Sequence, residues 1–96
     1  PSGHATQAHL FALCLKAIQP TAQLQTSLGA VLDALARRIA RNREIAGLHY
    51  PSDSVAGAAL AQQIFTVMID ETTMPHASGQ PSRFKSTMDA ARAEWA

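Results

Sequence analysis

The sequence predicts an all-α protein, a helical bundle of about four helices in one domain spanning residues 1–96. Three observations carry this. Apolar residues recur at spacings of three and four, the period of a helix face. No stretch shows the strict alternation of a half-buried strand. Pro, Gly and Ser/Thr punctuation cuts the chain into segments of helix length.

The first segment, Ala5 to Ile18, is apolar almost all round (Leu10, Phe11, Leu13, Cys14, Leu15, Ile18), which predicts a helix covered on several sides. Pro20 ends it, and Thr21 is a suitable N-cap for a second helix from Ala22 to Ala46. Leu24, Leu28, Val31, Leu32, Leu35 and Ile39 form one stripe there. Its last turns carry Arg37, Arg38, Arg41 and Arg43, cations that suit the negative end of a helix dipole. Gly47 breaks the helix. Ser52 or Asp53 is expected to cap a third helix, Ser54 to Asp70, with the stripe Leu60, Ile64, Val67 and Met68. Gly57 and Ala61, four apart, open a line for close approach of another helix. A Thr/Pro/Ser/Gly-rich loop from Glu71 to Pro81 precedes a last helix from about Ser82, with Phe84, Met88, Ala91 and Trp95 on one face.

Composition limits the core and the partners. Hydrophobic residues make up 47% of the chain and aromatics only 5%; much of the apolar share is alanine. Such a core requires close helix packing rather than large side chains. Net charge is +1, with no basic block, which gives nucleic-acid binding no footing. The two longest apolar stretches are broken by Lys16 and by Gln62 and Gln63, short of the roughly 20 apolar residues of a membrane span. Cys14 is the one cysteine and reads as a buried, inert thiol. His9 and His76 belong to no cluster with metal-ligand spacing.

Two blocks carry chemistry. Pro1-Ser2-Gly3-His4 stands directly before a helix, where free backbone N–H groups favour an anion. Ser2 can cap the helix or donate its hydroxyl, Gly3 allows close backbone approach, and His4 offers an imidazole suited to give a proton to a leaving oxygen. The second block is Arg43, His49 and Asp53. Arg43 offers a planar fork that suits phosphate. His49 follows the glycine break, and Asp53 is placed to bond one ring nitrogen and leave the other free.

In order and spacing these blocks resemble the second and third motifs of the phosphatidic acid phosphatase type 2 / vanadium haloperoxidase superfamily. The flanking Gly47 and Tyr50-Pro51-Ser52 share that resemblance, which covers roughly residues 1–69. It implies that Ser2, Gly3 and Arg43 bind phosphate or vanadate oxygens, that His49 is the nucleophile, that Asp53 orients it, and that His4 protonates the leaving group. Asn42 stands where the family usually has Ser. The family's first motif, a Lys and an Arg followed by Pro, is missing. The chain therefore reads as the C-terminal part of a larger domain whose N-terminal part supplies those cations. Lys85 and Arg92 have the internal spacing of that motif but lie downstream and lack the Pro, so they read as two solvated charges.

The resemblance implies a metal-independent phosphatase without cofactor, acting on a small phosphate ester through a phosphohistidine. Residues 90–95 faintly resemble the last helix of bacterial class A acid phosphatases. The helices read as those of a soluble protein, and the compartment, bacterial periplasmic or secreted among the options, stays open. The alternative is a haloperoxidase using halide and peroxide, with vanadate as cofactor on His49; His4-Ala5-Thr6-Gln7 and Leu15-Lys16-Ala17 resemble some haloperoxidases. A third reading is a helical interaction module with relic motifs.

Overall fold

A computed structural model describes residues 1–95. Four helices follow one another: α1 (Gly3–Ala17), α2 (Ala22–Ile45), α3 (Pro51–Ile69) and α4 (Arg83–Trp95). No strand occurs among the described residues. The all-α bundle of about four helices expected from the sequence is what the chain forms.

Each helix start has a local cause. Ser2, Thr21 and Ser82 cap α1, α2 and α4, their hydroxyl oxygens accepting from the N–H groups of Ala5, Leu24 and Lys85 at 3.2, 3.1 and 3.1 Å. The third start departs from expectation. The helix begins at Pro51, not Ser54, and Tyr50 is its N-cap residue in extended conformation. Proline tolerates the first helical position because its missing N–H would have no intrahelical partner there. Asp53 is therefore the third helical residue and caps by reaching back, its carboxylate accepting from Tyr50 N–H at 2.9 Å.

The packing is dominated by small residues. Ala5 and Ala12 of α1, Gly29, Ala36 and Ala40 of α2, and Gly57 and Ala61 of α3 are buried. Gly29 provides the seat for the aliphatic stem of Lys16, whose Cδ lies 2.9 Å from where a β-carbon would stand. The line through Gly57 and Ala61 is used as predicted, by α1. The large residues of the α2 stripe stay more open: Val31 is 64% and Leu35 53% exposed. On α1, Phe11 is 64% exposed, so that helix is covered on two sides rather than all round.

The reason is the arrangement. α1 lies between α2 and α3 and packs on both, whereas α2 and α3 touch each other little. The three make one layer, and the molecule measures 48 × 29 × 15 Å. Its radius of gyration is 14.9 Å, above the roughly 13 Å of a compact 100-residue domain. Accessible surface is 6348 Å², against about 5,300 Å² for a compact monomer of this mass. The excess matches the large apolar side chains left open on the layer.

α4 closes one end. Phe84, Met88 and Ala91 are partly covered, while Trp95 is exposed. Lys85 pairs with Asp89 on the surface at 2.8 Å. Arg92 corrects the expectation of a merely solvated charge: Nε and Nη2 donate to Ala17 O at 3.2 and 2.7 Å. A helix leaves its last carbonyls without intrahelical donors, and Arg92 supplies two for α1. Cys14 is half-buried rather than buried, and the desolvation it does undergo pushes its thiol pKa up.

Candidate active site

The start of α1 and the start of α3 lie side by side. Ser2 N–H donates to the backbone carbonyl of Asp53 at 2.9 Å, which joins the two sequence blocks directly. Gly57, one turn further along α3, makes this possible. A β-carbon there would stand 2.9 Å from Ser2 O and from Ala5 Cβ, and 3.1 Å from Thr6 N. Only a residue without a side chain lets the backbones come this close.

Ser2 is fully buried. Its Oγ is committed as acceptor to the Ala5 N–H, and its hydroxyl hydrogen takes no part in that bond. Gly3 and His4 are exposed. Nothing lies within 4 Å of a β-carbon built on Gly3, so the helix start is open to an approaching group. The His4 ring makes no hydrogen bond among the described residues.

His49 lies in the link 46–50 between α2 and α3. Gly47 adopts φ +79°, the left-handed conformation expected at this break. The link is held by Gly47 N–H donating to Glu44 O at 2.9 Å and Leu48 N–H donating to Arg43 O at 3.1 Å. His49 Nδ1 lies 3.2 Å from Asp53 Oδ2. The same oxygen accepts from Tyr50 N–H, and that backbone bond first, then the histidine, holds the Asp53 carboxyl below its ordinary pKa. An ionised Asp53 favours the tautomer with its proton on Nδ1, in which Nε2 keeps its lone pair. Side-chain exposures of 26% for His49 and 34% for Asp53 leave the ring accessible.

Arg43 closes α2 two turns before the histidine. It is half-buried, and its Nε is enclosed without a hydrogen-bond partner among the described residues. An enclosed guanidinium N–H with no partner is costly unless something accepts from it. An anion is the natural acceptor for such a fork.

Two residues beside the blocks were not foreseen. Glu44 Oε2 accepts from the Ser54 hydroxyl at 2.8 Å, and Glu44 Oε1 pairs with Arg41 Nη1 at 2.9 Å. Ser54 first, then Arg41, holds the Glu44 carboxyl below its usual range. No local sequence pattern marks this pair, since it joins two helices across a break.

Lys85 and Arg92 take no part. Arg92 sits at Ala17, the far end of α1 from Ser2, about 22 Å away by helix rise. A groove of about 640 Å³ runs along α1 between α2 and α3, with His9, Lys16, Asp33, Arg37, Glu44 and Ser54 in its lining. Its lining includes none of Ser2, His4, Arg43 and His49. No group of three or more His, Cys, Asp or Glu that could hold a metal occurs among the described residues, and no helix there is long and apolar enough to cross a membrane. Comparison of the chain with protein-family models, curated proteins and solved structures finds no match.

Proposed function

We propose that the chain carries the histidine half of a phosphoryl-transfer site, and that the protein is a metal-independent phosphatase of the phosphatidic acid phosphatase type 2 / acid phosphatase kind. The observation that carries this reading is the juncture of the two blocks: the Ser2 to Asp53 backbone bond sets the anion-ready start of α1 beside an aspartate-held histidine.

In this reading the phosphate ester binds with its oxygens on the Arg43 fork and at the Ser2-Gly3 helix start. His49 Nε2 attacks phosphorus in line, the P–O bond to the leaving group breaks, and His4 gives the leaving oxygen its proton. Water then attacks phosphorus as His4 takes its proton, the P–Nε2 bond breaks, and phosphate leaves with His49 restored. Rate enhancement comes from positioning and from cations aimed at the equatorial oxygens. The reading also calls for two further cations, a Lys and an Arg, that residues 1–96 do not bring to this site.

The test is made on full-length protein. Turnover of p-nitrophenyl phosphate, competitive inhibition by orthovanadate, and an acid-labile, alkali-stable phosphoenzyme are expected. Bromide oxidation by peroxide that requires added vanadate, without phosphatase turnover, would instead assign a haloperoxidase: the Arg43 fork and His49 Nε2 are the chain's groups suited to hold that oxyanion, which would supply peroxide activation. Neither activity, with the fold intact, leaves an interaction module.

Asp53→Asn separates the orientation of the ring from the start of α3. Asparagine still offers an oxygen to Tyr50 N–H, so α3 keeps its start. It no longer offers His49 a charged acceptor, and the ring samples the wrong tautomer. We expect kcat to fall about a hundredfold with KM little changed, since the loss is in the transition state. Unchanged kcat would remove Asp53 from the mechanism.

A further inference from the structure

Glu44 and Ser54 stand one residue after Arg43 and Asp53 respectively, on two helices that otherwise touch little. We propose that Glu44 is a positioning residue for the oxyanion site: by accepting from the Ser54 hydroxyl it clasps the end of α2 to the start of α3, and so sets the Arg43 fork relative to the His49 ring. The proposal rests on the reading of Arg43 and His49 as oxyanion-binding groups.

The geometry is that of a fixed strut rather than a surface pair. The Glu44 side chain is only 10% exposed. Both of its oxygens are engaged, Oε2 by Ser54 at 2.8 Å and Oε1 by Arg41 at 2.9 Å. Arg41 lies one turn back on α2, so it holds the carboxylate on its own helix while Ser54 ties it to the next. The alternative connection between Arg43 and His49 is the link 46–50, which contains the left-handed Gly47 and is exposed except at His49. The clasp ties the two helices across the break by a second route, independent of that link.

The charge of Glu44 makes the proposal sharp. A carboxylate beside an oxyanion-binding arginine is unfavourable to the anion by Coulomb repulsion. Removing it should strengthen anion binding if charge were its whole effect. Removing a strut should weaken binding. The two effects have opposite signs, so one measurement separates them.

The measurement is the affinity of full-length protein for orthovanadate, by ⁵¹V NMR titration, which reads the oxyanion site whether or not the substrate is known. Glu44→Ala and Ser54→Ala are each expected to bind about tenfold more weakly, and the double variant no more weakly than Glu44→Ala alone, because both remove one clasp. Glu44→Gln keeps an oxygen for the Ser54 hydroxyl and sheds the charge. It is expected within about threefold of the parent protein, or tighter. Glu44→Ala binding as well as or better than the parent, or losses that add in the double variant, would overturn the proposal. If Glu44→Ala fails to fold, Ser54→Ala decides alone, unchanged affinity overturning it. Failure of the underlying reading looks different. Parent protein that does not bind vanadate, or an Arg43→Ala variant that binds it equally well, overturns the oxyanion site and this proposal together. Binding lost in Arg43→Ala but unchanged in Glu44→Ala overturns this proposal alone.

Discussion

Replacing His49 by alanine in the full-length protein is expected to lower turnover of an aryl phosphate by about 10⁴-fold or more, with helical circular dichroism unchanged. The size follows from the role. A covalent nucleophile has no stand-in, and the ring nitrogen freed by the Asp53 bond is the group assigned to phosphorus. The unchanged fold follows from position. His49 lies in a link rather than a helix, and its one hydrogen-bonding side-chain partner, Asp53, keeps the Tyr50 N–H at 2.9 Å when the ring is gone. The helix start of α1 and the Arg43 fork would remain, so substrate affinity should change much less than turnover. A second signature comes with it: the alkali-stable phosphoenzyme should vanish. Turnover that survives the substitution at more than a few per cent would end the phosphohistidine reading.

Gly57→Val is expected to destabilise the chain by about 3 kcal/mol, at the upper end of what overpacking a close contact costs. It should reduce turnover as well. The first added carbon alone would lie 2.9 Å from Ser2 O and Ala5 Cβ. One of these atoms is backbone and accepts the N–H and hydroxyl of Thr6, each at 2.9 Å. It cannot swing aside as the end of a flexible chain would. α1 and α3 must part, and the Ser2 to Asp53 backbone bond at the same crossing goes with them. The gain in helix propensity from replacing glycine, below about 1 kcal/mol, has the opposite sign and is smaller. Gly3→Ala is the internal control: its β-carbon meets nothing within 4 Å, and little loss of stability is expected. Urea unfolding of the three proteins checks both; a Gly57→Val midpoint equal to the parent's would show that the crossing yields more readily than its distances imply.

Much of this fold was legible because its signals are local. Thr21 before Ala22, Gly47 at the break and Ser82 before α4 each act through bonds within a few residues, and each stands where the sequence placed it. The Gly57–Ala61 line was legible too, since four-residue spacing on a helix has one geometric meaning. The start of α3 lies three residues before the expected Ser54, because Pro51 opens the helix and Asp53, expected with Ser52 as a cap residue, reaches back from inside it to Tyr50. The apolar stripe of α2 said which residues share a face, and not which face meets α1. That choice fell to Gly29, Ala36 and Ala40, because small residues allow a closer approach than Val31 or Leu35. In the site, the His49–Asp53 pair follows from an i, i+4 spacing. The Ser2 to Asp53 bond and the Glu44–Ser54 clasp do not follow from any spacing. Both arise from where α1, α2 and α3 come to lie, as does the capture of Ala17 O by Arg92.

The central place of α1 also governs how substitutions should combine. With α2 and α3 sharing little contact, a change on the α1-facing side of one reaches the other mainly through the helix between them. Stability losses from Ala36 of α2 and Ala61 of α3 should then sum independently, whereas either combined with Ala12 of α1 should not. Thermodynamically, α1 is the node that α2 and α3 share. The Glu44–Ser54 clasp couples those two helices directly, at the end of the molecule where Arg43 and His49 stand.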